Sequence, residues 1–273
     1  MNDLINIASY LAFKLKRKMG SSSEKNLKYQ LRKYLHVLEK SNPEDGRYLH
    51  NILRAQHVYK EAKRKKLLSK DEIEWCERVI FGKSKSDKDE YSSESLEEID
   101  RVIKNRRSVR QSWKEEPLTE EDFKELIEIA RWSPSACNRQ SWDFILTNDK
   151  EKVKLLADQR GKWIEDAPSC ILVTVDMAAY NEVESSYSPY LDAGSVIQTL
   201  LLKAETMGYG TCWVNFGEVE VDEEAREEIN EVFSLPSGHK IVSIIPIGKY
   251  EKKPKAPGRK GPESMMYWEE HDG

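Results

Sequence analysis

The stretch LDAGSVIQTLLLKAETM, residues Leu191–Met207, predicts the element around which the fold is built. Its apolar side chains occupy most of the circumference of a helix, so we expect a long helix at the centre of a domain. Helical periodicity also predicts a surface helix at Asp222–Phe233. Apolar runs around these helices predict strands, at Trp142–Thr147, Cys170–Val175, Gly210–Phe216 and Lys240–Ile247. Interspersed helices and strands favour an α+β or mixed α/β fold class.

Residues 1–82 carry helical patterns only. Leu27, Leu31 and Leu35 recur at helical spacing, and a further helix is predicted at Lys70–Phe81 before Gly82. Residues 83–94 are almost all Lys, Ser, Asp and Glu, which cannot form a core. We therefore interpret residues 1–82 as a helical N-terminal extension, 83–94 as a polar linker and 95–273 as a second domain.

Charge separates the same two regions. Residues 1–80 hold 18 Lys and Arg against 10 Asp and Glu, a net charge of +8, whereas the remainder holds 26 against 38, a net charge of −12. Basic runs such as Lys63–Lys66 suit anionic lipid or nucleic acid, but they are more often solvated helix faces. No aromatic residues are interleaved with them, so we expect no nucleic-acid partner. We interpret Leu4–Leu15 as an amphipathic helix rather than a membrane-surface anchor.

The four cysteines Cys76, Cys137, Cys170 and Cys212 are widely spaced and form no CxxC pair. This spacing argues against a zinc site and against a disulfide framework, and it favours free thiols in a cytoplasmic protein. No histidine is visibly paired with Cys137, so we assign it no nucleophilic role. No stretch has the length of a transmembrane helix.

An arginine run, Arg106-Arg107-Ser108-Val109-Arg110, places three guanidiniums and a hydroxyl within five residues. Arginine offers a rigid fork of donors that matches phosphate oxygens. In an extended run alternate side chains point the same way, so Arg106, Ser108 and Arg110 would converge on one anion while Arg107 points elsewhere. A solvated basic patch is an equally good interpretation of this run by itself.

A polar loop, Ser133–Trp142 with the sequence SPSACNRQSW, lies between a predicted helix and a predicted strand. Its hydroxyls and amides suit a flat heterocycle rich in hydrogen-bond donors and acceptors, and ligand-binding loops often occupy such positions. Taken alone, an ordinary polar turn is the simpler interpretation.

Together, the arginine run and the Pro-Ser-Ala-x-Asn-x-Gln-x-Trp pattern about 25 residues later resemble the nitroreductase family of FMN-dependent enzymes. Three further segments match in order: Leu191–Gly194 opening the long helix, Met207–Trp213 after it, and Ile245–Lys249. A Pro-rich tail with Arg259 follows. The resemblance covers roughly residues 96–270.

The resemblance implies a mostly antiparallel sheet flanked by helices, with the long helix at its centre, and homodimers that bind FMN at the interface. Arg106, Ser108, Arg110 and Arg259 would hold the phosphate, with Arg107 nearby. The polar loop would contact FMN across the interface, and the strand after the long helix would approach the ring. The implied cofactor-binding residues are Arg106, Arg107, Ser108, Arg110, Pro134, Ser135, Ala136, Asn138, Gln140, Thr211, Trp213 and Arg259.

The implied activity is hydride transfer from NADH or NADPH, by way of the flavin, to a small conjugated acceptor such as a nitroaromatic or a quinone. The flavin carries this chemistry, so we assign no catalytic side chain and no metal. The segment Val214-Asn215-Phe216 replaces the glycine-rich continuation common in the family, which leaves the acceptor open. Two alternatives also stay open: a dehalogenase or flavin-modifying enzyme, and an FMN-binding assembly protein that acts through the basic helices.

Overall fold

The structure is a computed structural model, and it describes residues 24–40, 46–82, 93–217, 221–269 and 271. The predicted helix at Leu4–Leu15 and most of the predicted linker lie outside the described residues. Within them, eight α-helices are present: α1 (Glu24–Lys40), α2 (Gly46–Arg64), α3 (Lys70–Phe81), α4 (Ser93–Asn105), α5 (Glu120–Ala130), α6 (Lys150–Arg160), α7 (Ser188–Thr206) and α8 (Glu223–Val232).

Five strands form one sheet in the described part of the chain, and every pairing between them is antiparallel. Its order is β1-β2-β5-β3, with β4 also paired to β5. The predicted α+β class, with a mostly antiparallel sheet and helices at the N-terminus, is confirmed. The strands are β1 (Trp142–Thr147), β2 (Ser169–Asp176), β3 (Gly210–Thr211), β4 (Val214–Asn215) and β5 (His239–Gly248).

Helices cover both faces of the sheet because β2 is apolar on both sides. Ile171 and Val173 join the core beneath α5 and α7, whereas Cys170 and Leu172 join the core beneath α6 and α8. Side chains that alternate along a strand point to opposite faces, so a continuous apolar run such as β2 is buried on both.

The predicted strand Gly210–Phe216 is interrupted, and this prediction was therefore too long. The two short strands β3 and β4 keep a single register on β5, since Thr211 pairs with Ile247 and Val214 with Ile244. Between them the Cys212 N–H donates to the Pro246 carbonyl at 3.2 Å. Pro246 has no N–H to return, so the ladder of hydrogen bonds breaks opposite this proline.

The long helix α7 packs against the sheet, as expected, but it is not enclosed. Tyr187, at its N-terminus, is 52% exposed, and Tyr190 and Leu191 are 45% and 67% exposed. The helix α4 lies beside α7 and exposes Ile99 and Ile103. The long helix therefore reaches the predicted central position only in part, because an apolar stripe of α7 and α4 stays exposed in the single chain.

The first three helices form a core of their own, and we call α1–α3 the N-terminal helical unit. Leu31, Leu35, Val58 and Ala62 are buried in it with other apolar residues. The predicted bounds of α3, Lys70–Phe81 before Gly82, are confirmed, and Gly82 is in the left-handed conformation. The structure adds a capping box at its start, formed by Ser69 and Glu72. The helix α4 begins at Ser93, two residues inside the predicted linker.

Candidate functional site

The arginine run is extended and lies along the edge of the sheet. Ser108 forms a parallel bridge with Thr211, and the Val109 N–H donates to the Thr211 carbonyl at 2.9 Å. Val109 is buried, whereas Ser108 and Arg110 on either side of it are exposed. The alternation expected of an extended segment therefore directs Ser108 and Arg110 outward.

Arg107 is hydrogen-bonded to the end of the preceding helix. Its Nη1 donates to the carbonyls of Lys104 at 2.6 Å and Arg106 at 2.9 Å. A cation at this position satisfies carbonyl groups that a helix C-terminus leaves without partners. Arg107 nevertheless lies with Arg106, Ser108 and Arg110 in the lining of one cavity, so its predicted separation from them is only partial.

The C-terminal tail folds back over the arginine run and encloses a cavity of about 300 Å³. Arg259, about 150 positions further along the chain, joins the run there, as the resemblance implied. Lys255 is a cation in the same cavity that sequence reasoning missed, because a lysine in a Pro-rich tail carries no signal of its own. We call this the arginine cavity, and its lining residues are Arg106, Arg107, Ser108, Arg110, Pro254, Lys255, Pro257 and Arg259.

Among the described residues, the cations of the arginine cavity have no carboxylate partners. Arg106, Arg110, Lys255 and Arg259 form no salt bridge within the described ranges, and the lining there includes no Asp or Glu. Arg110 also lies over the Trp163 ring, with its guanidinium carbon 5.1 Å from the ring centroid. Convergent like charges without counterions create a positive potential that suits a phosphate.

The polar loop is held in a sparsely populated backbone conformation. Cys137, Asn138 and Gln140 have φ angles of 53°, 52° and 48°. Such angles are uncommon for residues other than glycine and occur where surrounding contacts enforce them. Those contacts lie partly inside the loop, since the Gln140 N–H donates to the Ser135 hydroxyl at 3.0 Å and the Gln140 amide donates to Asn138 Oδ1 at 2.9 Å.

The loop is also anchored on α7 through a buried carboxylate. Asp192 Oδ1 accepts from the Ala136 N–H at 2.8 Å, and Oδ2 accepts from the Tyr180 hydroxyl at 2.7 Å. Burial, reinforced by Asp192, raises the pKa of Tyr180, so the phenol stays protonated and donates. Ser133 is anchored on the same helix by a 2.7 Å bond to Thr199. Asp192 was not predicted, although a carboxylate near the start of an apolar helix was a usable signal.

A second cavity, of about 720 Å³, lies between the polar loop and the N-terminal helical unit. Asn138 and Gln140 line it from the loop side, whereas Pro134, Ser135 and Ala136 do not. The helices α1 and α3 supply more than half of its lining, most of it acidic. Its lining residues are Glu39, Asp71, Glu72, Glu74, Trp75, Glu77, Arg78, Arg131, Trp132, Ser133, Asn138 and Gln140.

Thr211 and Trp213 are placed differently from each other. Thr211 is buried and lines neither cavity, and its backbone holds the arginine run. Trp213 is 39% exposed and lies against α7, where a Cβ added at Gly194 would sit 3.5 Å from the indole. Of these two residues, Trp213 is the one whose side chain is accessible at the surface.

The arginine cavity and the polar loop lie at diagonally opposite corners of the sheet. The cavity adjoins β3, where Thr211 pairs with Ile247, and the loop leads into β1, whose Trp142 pairs with Val175 and through it with Lys240. Ile247 and Lys240 are about 23 Å apart along β5 at roughly 3.3 Å per residue, and the two corners are on opposite edges. One chain therefore does not bring the two predicted parts of the site together.

In the described part of the chain, no group of three or more His, Cys, Asp and Glu residues is arranged to hold a metal ion. Over the same residues, no helix is long and apolar enough to cross a membrane. All four cysteines are free thiols.

Comparison with known proteins supplies the family. The sequence model of the Nitroreductase family matches residues 103–163 and 156–249, which together make up more than half of the chain. The chain belongs to the nitroreductase family. The matched segments contain the arginine run, the polar loop and Asp192, whereas α1–α3 lie outside them.

Individual proteins similar to this chain match about three fifths of its length. The FMN reductase (NAD(P)H) of Bacillus subtilis is 29% identical over 183 residues, which span 59% of this chain and 71% of the relative. The structure of an FMN-dependent nitroreductase from Clostridium difficile is 26% identical with a TM-score of 0.54, over 62% of this chain and 98% of that one. NfrA2 of B. megaterium is 25% identical with a TM-score of 0.57, over 64% and 75%.

Proposed function

We propose that this nitroreductase-family protein is an FMN-dependent NAD(P)H oxidoreductase. The observation that carries the proposal is the arginine cavity, which five cations and Ser108 line without a carboxylate partner in the described ranges. The names of two relatives, an FMN reductase (NAD(P)H) and an FMN-dependent nitroreductase, supply the cofactor and the electron donor.

The residues of the cavity fit the phosphate end of FMN. Arg106, Arg110, Lys255 and Arg259 would neutralise the phosphate, and Ser108 would add a hydroxyl donor. Arg107 would contribute charge nearby while capping α4. A flavin supplies hydride acceptance from reduced nicotinamide and hydride delivery to a second substrate. The protein would anchor the phosphate away from the reacting ring. It would also form the pocket in which substrates bind over that ring.

For the acceptor, we propose a small conjugated molecule such as a nitroaromatic or a quinone. The relative named as an FMN-dependent nitroreductase supports the nitroaromatic class. The electron donor and the acceptor would bind in turn over the same face of the flavin, since neither predicted part of the site includes a separate dinucleotide-binding motif.

We further propose that the active form is a homodimer. The arginine cavity and the polar loop lie at opposite corners of one chain, so a site that uses both needs a second copy. The exposed apolar stripe on α7 and α4, which includes Tyr190, Leu191, Ile99 and Ile103, offers the surface for that contact. In this arrangement Pro134, Ser135, Ala136, Asn138 and Gln140 would serve the partner's cofactor, with Trp213 beside the ring.

The domain division and the location of the protein complete the proposal. A separate core in α1–α3 and a family match that begins at residue 103 support an N-terminal unit of residues 1–82 and an FMN-binding domain of residues 95–273. Four free cysteines support a reducing, cytoplasmic location.

Spectroscopy of the purified protein tests the proposed function. We expect a yellow protein, or one that takes up added FMN, whose visible flavin absorbance is bleached anaerobically by NADH or NADPH and restored by a nitroaromatic or a quinone. A colourless protein that does not bind added FMN would contradict the proposal. A yellow protein that neither nicotinamide bleaches would favour a binding role instead.

A further inference from the structure

The helix α1 of the N-terminal helical unit packs against the polar loop, and its Arg32 hydrogen-bonds the backbone of that loop. Arg32 Nη1 donates to the carbonyl of Arg139 at 2.7 Å and to that of Gln140 at 3.3 Å. Its Nη2 donates to Glu72 Oε1 at 2.6 Å. Side-chain exposures of 14% for Arg32 and 16% for Glu72 show that this chain of contacts is shielded from solvent.

Glu72 is held in place by two further groups besides Arg32. Its Oε2 accepts from the Ser69 N–H at 2.9 Å in the capping box of α3, and Lys28 lies 3.4 Å away. Burial alone would raise the pKa of Glu72, but the Ser69 N–H and the charges of Arg32 and Lys28 outweigh it and hold that pKa below its usual value. The carboxylate is therefore ionised at neutral pH and orients the guanidinium.

The two carbonyls that Arg32 binds belong to the strained end of the polar loop. Gln140 has a positive φ, and Arg139 lies between it and Asn138, which also has a positive φ. A charged donor forms stronger bonds to carbonyls than a neutral one does, so it can hold peptide groups in an unfavourable conformation. Nearby, the Tyr29 hydroxyl donates to Asp176 Oδ2 at 3.1 Å, and the Asp176 N–H donates to the carbonyl of Ser141, where the loop enters β1.

We propose that Arg32, oriented by Glu72, is a positioning residue that holds the polar loop in the conformation that presents Asn138 and Gln140 to the flavin. The inference rests on the proposed function. It assigns part of the cofactor site to a helical unit outside the residues that match the family model. Truncating that unit would then loosen the loop even though the nitroreductase core is intact.

Cys137 provides a probe of the loop that does not depend on FMN. It is partly exposed within the loop, whereas Cys76, Cys170 and Cys212 are buried. Burial raises the pKa of the Cys76 and Cys170 thiols to about 12, which slows their alkylation further. The rate at which iodoacetamide modifies Cys137, followed by peptide mass spectrometry, therefore reports on the order of the loop.

The experiment compares Arg32→Ala, Arg32→Lys and Glu72→Gln with wild type in the full-length protein. Glutamine at position 72 still completes the capping box, so this variant removes the charge and keeps the helix start. Arg64→Ala is the matched control, because Arg64 is exposed in the same helical unit and pairs with Glu61 alone among the described residues. Each variant is measured for Cys137 alkylation, FMN dissociation constant, visible spectrum of bound flavin and thermal midpoint.

With Arg32→Ala we expect Cys137 alkylation to be several-fold faster and FMN binding to be about tenfold weaker, since the loop loses charge-assisted hydrogen bonds. A shifted spectrum of bound flavin should accompany the weaker binding. Arg32→Lys and Glu72→Gln should give intermediate values, and Arg64→Ala should match wild type. If Arg32→Ala does not fold, Glu72→Gln decides by the same measurements.

Wild-type alkylation in Arg32→Ala and Glu72→Gln would overturn the proposal. Faster alkylation with an unchanged FMN dissociation constant and spectrum would overturn the assignment to the flavin site. If the wild-type protein binds no FMN, the proposed function and the flavin role both fail, while the alkylation rates still decide whether Arg32 orders the loop.

Discussion

The arginine cavity and the polar loop differ in whether their polar groups already have partners. In the cavity, Arg106, Arg110 and Arg259 converge without a carboxylate partner among the described residues, so their charge is left for a ligand. In the loop, polar groups are already bonded to one another, to Asp192 of α7 and to Arg32 of α1. If both belong to the proposed site, the cavity would provide binding energy and the loop would provide a fixed shape.

The largest effect is expected from removing positive charge from the arginine cavity. Replacing Arg106 and Arg110 together by Ala should weaken FMN binding by about 100-fold or more, because hydrogen bonds to charged groups are the strong ones. Fluorescence titration with FMN measures the loss. Arg101→Ala with Lys104→Ala is the matched control, since these exposed cations on α4 pair with Glu98 and Asp100. Equal FMN affinity in the two double variants would place the phosphate elsewhere.

A large loss of stability is expected from removing the anchor of the loop. Asp192→Leu removes the acceptor of the Ala136 N–H and leaves the Tyr180 hydroxyl with Ser141 as its remaining partner, which should cost about 2–5 kcal/mol of unfolding free energy because both lost bonds go to a charged group. Asp192→Asn keeps one acceptor oxygen and should cost less. Urea unfolding measures both, and wild-type stability in Asp192→Leu would show that the carboxylate does not hold the loop.

A smaller effect is expected where the arginine run meets the sheet. A Cβ at Gly210 would lie 2.6 Å from Tyr250 Cδ1 and 2.7 Å from Val109 Cγ2. Gly210→Ala should therefore cost about 1–3 kcal/mol and weaken FMN binding by displacing the run. Gly258→Ala, in the tail, adds a Cβ with no atom within 4 Å and is the control. Thermal unfolding that is identical in the two variants would argue against this close packing.

The smallest effect concerns the pH dependence of the contact between the loop and the N-terminal helical unit. Because the pKa of Glu72 is lower in the folded protein than in the unfolded chain, its pairing with Arg32 stabilises the fold fully above the unfolded pKa near 4.5. That contribution is lost as the pH falls through the lower, folded pKa. Wild type should be more stable than Glu72→Gln by an amount on the order of 1 kcal/mol at pH 7, and this difference should shrink as the pH falls below the unfolded pKa. A difference that does not depend on pH would exclude the ionised pair as its source.

Much of this molecule is readable from its sequence because it depends on local periodicity. The apolar stripe of α7, the two-sided apolar run of β2 and the bounds of α3 each follow from neighbouring residues. The arginine run was also readable, since an extended segment sets its own side-chain directions.

The rest depends on partners that are distant in sequence. Lys255 reaches the arginine cavity, and Arg32 reaches the polar loop from 107 positions away. The positive φ angles of Cys137 and Gln140 carry no composition signal, because neither residue type favours them. The interruption of the strand at Cys212 could not be predicted from neighbouring residues, because it depends on Pro246 of β5, which pairs opposite it.

Subunit mixing tests the central claim, that the site combines the arginine cavity of one copy with the polar loop of another. An Arg106→Ala/Arg110→Ala chain and an Asn138→Ala/Gln140→Ala chain, each unable to bind FMN, are unfolded together and refolded. If the account is correct, half of the random dimers are mixed and each regains one intact site, so about one quarter of wild-type FMN binding returns. If both parts of the site belong to the same chain, no binding returns, and that result would contradict the account.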